Sequence, residues 1–186
     1  MFKIIKKNLI FILLVTISFT NAYSNEELID HLKKGNKIVF IRHALAPGTG
    51  DPDNFDINDC STQRNLNDEG VKQSKKIGSF FYKNKIPINQ VLTSEWCRCV
   101  DTAKYAFKDF KKFGALNSFF SENFKKNKEK QMEDLNNFLR NWNDEGNLVL
   151  ITHYVVILET INESVSSGEI VILDKNLNFI GRVNDY

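Results

Sequence analysis

The chain has 186 residues, 42% hydrophobic and 26% charged, with 25 basic against 23 acidic side chains and a formal net charge of +2. That balance offers no bulk attraction for nucleic acid, so any anion site has to be built locally. The length suits one domain able to bury about two thirds of its unfolded surface.

Residues 1–22 read as a signal peptide. Lys3, Lys6 and Lys7 make a positive start, Asn8 to Phe19 an apolar stretch, and Thr20-Asn21-Ala22 a small-residue cleavage site. The apolar stretch is shorter than the roughly 20 residues that span a bilayer. Cleavage is expected after Ala22 or Ser24, giving a periplasmic or secreted protein with no stable membrane insertion. Loss of those lysines turns the remaining balance slightly acidic. Residues 23–186 are expected to form a single domain, without internal repeats or low-complexity segments.

In chain order, His31 sits in a polar amphipathic stretch and reads as a surface residue. Lys37-Ile38-Val39-Phe40-Ile41-Arg42-His43 is a short branched apolar run, as expected of a strand covered on both faces. The stretch from Ala44 to Arg64 holds Pro47, Gly48, Gly50 and Pro52 and is long for a connector, which marks it as a functional loop. Asn67 is the expected N-cap of a helix running to about Lys83, with Val71, Ser74, Ile77 and Phe81 on one face. A second strand, Gln90 to Ser94, leads into a helix from Glu95 to about Phe107.

Lys125 to Lys130 reads as a solvated helix face, and Met132, Leu135, Phe138, Leu139 and Trp142 fall at helical spacing as core positions. Asn147-Leu148-Val149-Leu150-Ile151-Thr152-His153 echoes the first strand and also delivers a histidine; a short helix, Tyr154 to Ile161, follows. Glu169 to Leu173 and Leu177 to Val183 form a hairpin turned at Asp174-Lys175-Asn176. Strands alternating with helices predict an α/β fold with a mostly parallel central sheet.

Ligands of open α/β sheets bind at the carboxyl ends of the strands. His43, Ser94 and His153 all fall there. An arginine before the first histidine offers a planar fork of donors to phosphate oxygens, and its charge disfavours imidazolium, keeping His43 neutral and nucleophilic. Arg98 lies in the first turns of a helix whose amino end attracts anions. Arg42, Arg98, His43 and His153 together suit a dianion that gains charge during transfer.

The segments IVFIRHALAPG, RNLNDEG, LTSEWCRCVDTA and LVLITH, taken in order across nearly all of residues 23–186, resemble the histidine phosphatase superfamily of phosphoglycerate mutases and acid phosphatases. The resemblance implies a three-layer α/β/α sandwich of the phosphoglycerate mutase-like kind. It implies His43 as a phosphorylated nucleophile, Arg42 and Arg98 as phosphate clamps, and His153 as the second histidine. Arg64, Thr152 and Ser94 are further candidates for substrate contact. The implied activity is hydrolysis of a small phosphomonoester, envelope-derived in an exported protein, with no cofactor and no metal.

Two departures stand out. Ala44 replaces the family's glycine, which matters only if that backbone needs positive φ. Leu116-Asn117-Ser118 stands where many members carry a glutamate general acid; Asp51, Asp53 and Glu122 are the candidate replacements. Cys60 is placed to pair with Cys97 or Cys99 in an oxidising compartment, the alternative being buried thiols. The competing readings are a catalytically weak phospho-ligand-binding module of the same fold, a mutase, which the short chain disfavours, and a zinc hydrolase, which the neighbouring arginine disfavours.

Overall fold

Alternate residues of a strand face opposite sides of its sheet, so an unbroken apolar run needs cover on both. The computed structural model describes residues 24–186; the expected signal peptide lies outside them. β1 (Ile38–Arg42), β2 (Ile88–Thr93), β3 (Lys111–Lys112), β4 (Asn147–Thr152), β5 (Ile170–Leu173) and β6 (Phe179–Val183) form one sheet in the order β3-β2-β4-β1-β5-β6. The first four strands in that order run parallel, and β5 and β6 add antiparallel at one edge.

The helices are α1 (Asn25–Lys33), α2 (Asp68–Lys83), α3 (Cys97–Ala106), α4 (Glu122–Lys125), α5 (Lys128–Asn141) and α6 (Tyr154–Ile161). Val39, Ile41, Val149 and Ile151 pack against Leu28 and Leu32 of α1, Ile77 and Phe81 of α2 and Ala103 of α3. Ile38, Phe40, Leu148 and Leu150 face the other way, onto Leu135 and Leu139 of α5 and Val156 and Ile157 of α6. The result is the expected α/β/α sandwich. Among the described residues no helix is long and apolar enough to cross a membrane.

Local chemistry explains where the helices start. Asn67 caps α2 by accepting the Gly70 amide at 2.9 Å, and Gly70 is required there because a Cβ would meet the Leu45 carbonyl at 2.1 Å. α3 starts at Cys97 rather than the expected Glu95. The amides of Glu95, Trp96 and Cys97 are bound by side chains of Asn117, Ser94 and Gln63, which hold this stretch out of the helix. The basic segment around Lys125 to Lys130 is broken between α4 and α5 instead of forming one helical face.

Register sets up the site. Arg42 pairs with Thr152 across β1 and β4, so His43 and His153 follow side by side, with the His43 amide on the Thr152 carbonyl at 2.9 Å. The Ser94 amide reaches the Ile151 carbonyl at 2.9 Å, bringing the end of β2 to the same rim. The loop between α6 and β5 returns there too. Gly168, at φ +77°, donates its amide to the carbonyls of Arg42 at 3.1 Å and His43 at 3.2 Å.

Candidate active site

At this rim lies a cavity of about 540 Å³ lined by Arg42, His43, Asp51, Arg64, Arg98 and His153, among others. His43 and His153 are 2% and 3% exposed, and their rings meet edge to face with centroids 5.5 Å apart. His43 Nδ1 lies 2.8 Å from the Ala44 carbonyl. A carbonyl can only accept, so Nδ1 carries the proton and Nε2 keeps its lone pair. Burial, then the charge of Arg98, with smaller contributions from Arg42 and Arg64, push the pKa of His43 well below 6.5. The imidazole is neutral at physiological pH, and burial is the main cause, ahead of the adjacent arginine.

Ala44 does not adopt positive φ, so its methyl is accommodated where the family has glycine. Its amide donates to Thr102 Oγ1 at 3.0 Å, which fixes the backbone that holds the His43 proton.

His153 is oriented by a chain of side chains that the sequence did not reveal. Asn117 accepts the Glu95 amide through Oδ1 at 2.8 Å and donates Nδ2 to the Glu95 carboxylate at 2.7 Å, which settles its amide orientation. Ser94 must then donate its hydroxyl to Asn117 Oδ1, 3.0 Å away. What remains for His153 Nε2, at 2.9 Å, is a Ser94 lone pair. His153 therefore donates Nε2–H, leaving Nδ1 as its basic atom. Burial and then Arg98 hold its pKa well below 6.5 as well.

Arg42 and Arg98 are each anchored at one end. Arg42 gives Nη1 to the Val165 carbonyl at 2.8 Å, with its guanidinium 5.7 Å from the Tyr154 ring centroid. Arg98 gives Nη1 and Nη2 to Asp51 at 2.7 and 3.2 Å. In both, Nε is buried and has no hydrogen-bond partner. Three arginines, Arg42, Arg64 and Arg98, line one cavity with the two neutral imidazoles, an arrangement suited to an anion.

The other sequence candidates separate. Arg64 lines the cavity and braces the loop, giving Nε to the Gly50 carbonyl at 2.8 Å and Nη1 to that of Ala46. Ser94 is behind His153. Thr152 is buried and directs its hydroxyl to the Leu116 carbonyl at 2.6 Å, and neither residue lines the cavity.

Asp51 is held as an anion. Burial alone would raise its pKa, but the Arg98 hydrogen bonds and charge, with the Arg64 amide and the Trp96 indole, bring it below 3.8 and keep it ionised. Glu122 is paired with Lys125 on the surface and is not part of the cavity wall. Asp53 stays at the cavity, exposed. Ser118, at the family's acid position, also lines it.

Cys60 is disulfide-bonded to Cys97, tying the long loop to the start of α3. Cys99 is free and buried, its thiol pushed up to about 12 chiefly by burial, which rules it out as a nucleophile at neutral pH. Half-buried His31 does not line the cavity. Among the described residues no three His, Cys, Asp or Glu side chains gather as a metal site would require.

No family model and no curated protein sequence matches the chain. Solved structures match in fold. The protein histidine phosphatase SixA in complex with tungstate aligns at TM-score 0.51 and 16% identity, over 78% of this chain and 95% of its own. Phosphoglycerate mutase from Thermus thermophilus aligns at TM-score 0.56 and 16% identity, over 81% and 99%. The Rv3214 product of Mycobacterium tuberculosis aligns at TM-score 0.52 and 15% identity, over 74% and 90%. The chain therefore shares its fold with phosphoglycerate mutase and the protein histidine phosphatase SixA.

Proposed function

We propose that the protein is a phosphomonoester hydrolase that works through a phosphohistidine on His43. The observation that carries this reading is His43, with its Nε2 lone pair free, in a cavity whose wall also holds His153, Arg42, Arg64 and Arg98. Nε2 forms the N–P bond as the P–O bond to the alcohol breaks. Arg42 and Arg98 hold the phosphoryl oxygens as their charge develops, and His153 joins them by taking up a proton of the phosphoryl group on its basic Nδ1. The alcohol departs toward the open side of the cavity, where water supplies its proton. Water then cleaves the N–P bond, releasing inorganic phosphate and neutral His43; no step calls for a metal.

The binding-module reading has one observation in its favour, the serine at position 118 where a carboxylic acid is expected. The neutral nucleophile with its oriented tautomer supports catalysis instead, since a binding site gains nothing from it. Export to an oxidising compartment, with the signal peptide removed, is part of the proposal; the Cys60–Cys97 disulfide supports it.

The test is phosphate release from monoesters by wild type and His43→Ala. A loss of at least about 10³-fold in kcat with retained binding of tungstate is expected. Equal activity in the two proteins refutes the mechanism, and retained binding without turnover in wild type favours the module.

A further inference from the structure

We propose that the substrate is the phosphomonoester of a small uncharged alcohol bearing a planar aromatic ring, and that a second anionic group on it is rejected. This rests on the phosphatase reading and extends it to the leaving group. Beyond the histidines the cavity wall is aromatic, formed by Phe55, Phe120, Phe124 and Tyr154. Trp96 also lines the cavity and braces this wall, stacked on Phe55 with centroids 5.0 Å apart and 26° between planes, and edge-on to Phe124 at 5.4 Å. Such a braced wall keeps its shape when empty, and it offers faces and edges to a flat ring.

Phe120 stands at the cavity 54% exposed. An aromatic side chain left in water beside a pocket gains from being covered, at roughly 25 cal/mol per Å² of apolar surface.

Charge placement excludes a second anion. The cations lining the cavity are Arg42, Arg64 and Arg98, and all three act on His43 electrostatically, so they crowd the phosphoryl end. The remaining polar lining is uncharged, namely Thr49, Ser118, Ser121 and Asn123, apart from Asp51, which is bound to Arg98, and Asp53. A carboxylate or second phosphate on the leaving group would be desolvated against ring carbons and Asp53, with no counter-charge.

The test compares benzyl, propyl and 4-carboxybenzyl phosphate. Benzyl and propyl alcohols are similarly poor leaving groups, so ring recognition is separated from leaving-group acidity. The expected order in kcat/KM is benzyl over propyl by about tenfold or more, corresponding to one good aromatic contact, with carboxybenzyl at least about fivefold below benzyl. Phe120→Ala should reduce the benzyl-to-propyl ratio, and Asp53→Lys should narrow the carboxylate penalty. Equal rates for benzyl and propyl, or no carboxylate penalty, overturn the proposal while leaving the phosphatase reading intact. If nothing is hydrolysed, the phosphatase reading fails, and the same ranking is read from equilibrium competition of the three compounds against tungstate, with the same outcomes deciding it.

Discussion

Asp51 holds both terminal nitrogens of Arg98, at 2.7 and 3.2 Å, and both residues line the histidine cavity. The carboxylate thus sets the plane of the guanidinium and is itself held as an anion. The pair is nearly dry, with side chains 3% and 14% exposed. Removing one partner of a buried pair strands the other charge, at a cost of about 3 kcal/mol or more.

Asp51→Ala is accordingly expected to destabilise the protein by about 3 kcal/mol in urea titrations. Added inorganic phosphate should restore more stability to this variant than to wild type, because the freed guanidinium gains an anion. Its kcat should fall with the clamp disoriented. A variant as stable and as active as wild type contradicts the assignment.

Stability should drop on acidification from just below neutrality. The folded pKa values of His43 and His153 lie well below 6.5, so below that pH the unfolded chain binds protons that the folded one does not. Stability is full above pH 6.5 and falls as pH decreases from there toward the folded values. The slope approaches about 1.4 kcal/mol per pH unit for each imidazole. Asp51, lowered from 3.8, acts in the same direction at lower pH. Replacing both histidines by Gln should flatten the upper part of the curve, measured by denaturant midpoints across pH.

The His153 chain predicts non-additivity. Ser94→Ala removes the lone pair that keys the imidazole, and Asn117→Ala removes the acceptor that orients Ser94. Each should lower kcat by about tenfold with a smaller effect on KM. The double variant should lose little more than Ser94→Ala alone, because the residues act in series. Additive losses would mean that they do not work through the same ring.

The Cys60–Cys97 disulfide closes a span of 37 residues, and crosslinks of this length contribute about 2–4 kcal/mol by restricting the unfolded chain. Reduction should lower the denaturation midpoint by a corresponding amount. It should also weaken tungstate binding, since the loop carrying Asp51 and Arg64 loses its tether beside Arg98. Cys60→Ser should reproduce both effects, and no change in either would contradict them.

How far the sequence was legible follows from locality. β1 and β4 were readable because burial on both faces writes an unbroken apolar run, and α2 and α6 because Asn67 and the apolar run after His153 mark their starts. The convergence of His43, Arg98 and His153 on one rim follows from strand order and register. What stayed hidden are contacts between distant segments. Nothing near Asn117 announces that it orients Ser94, and nothing near Asp51 announces its pairing with Arg98, 47 residues away. Asp51 looked like an acid because a loop aspartate has the right chemistry; the donors it accepts from Arg98, Arg64 and Trp96, visible only in three dimensions, make it an anion. The start of α3 moved for the same reason, the amides of Glu95 and Cys97 being claimed by the distant Asn117 and Gln63.

Rapid quenching of the protein with a turned-over monoester, followed by peptide mass spectrometry under alkaline conditions that preserve phosphohistidine, bears on His43 itself. A phosphoryl group on Nε2 of His43, formed and discharged at least as fast as steady-state turnover, is the expected result. Sustained phosphate release with no phosphate ever found on His43 would contradict it.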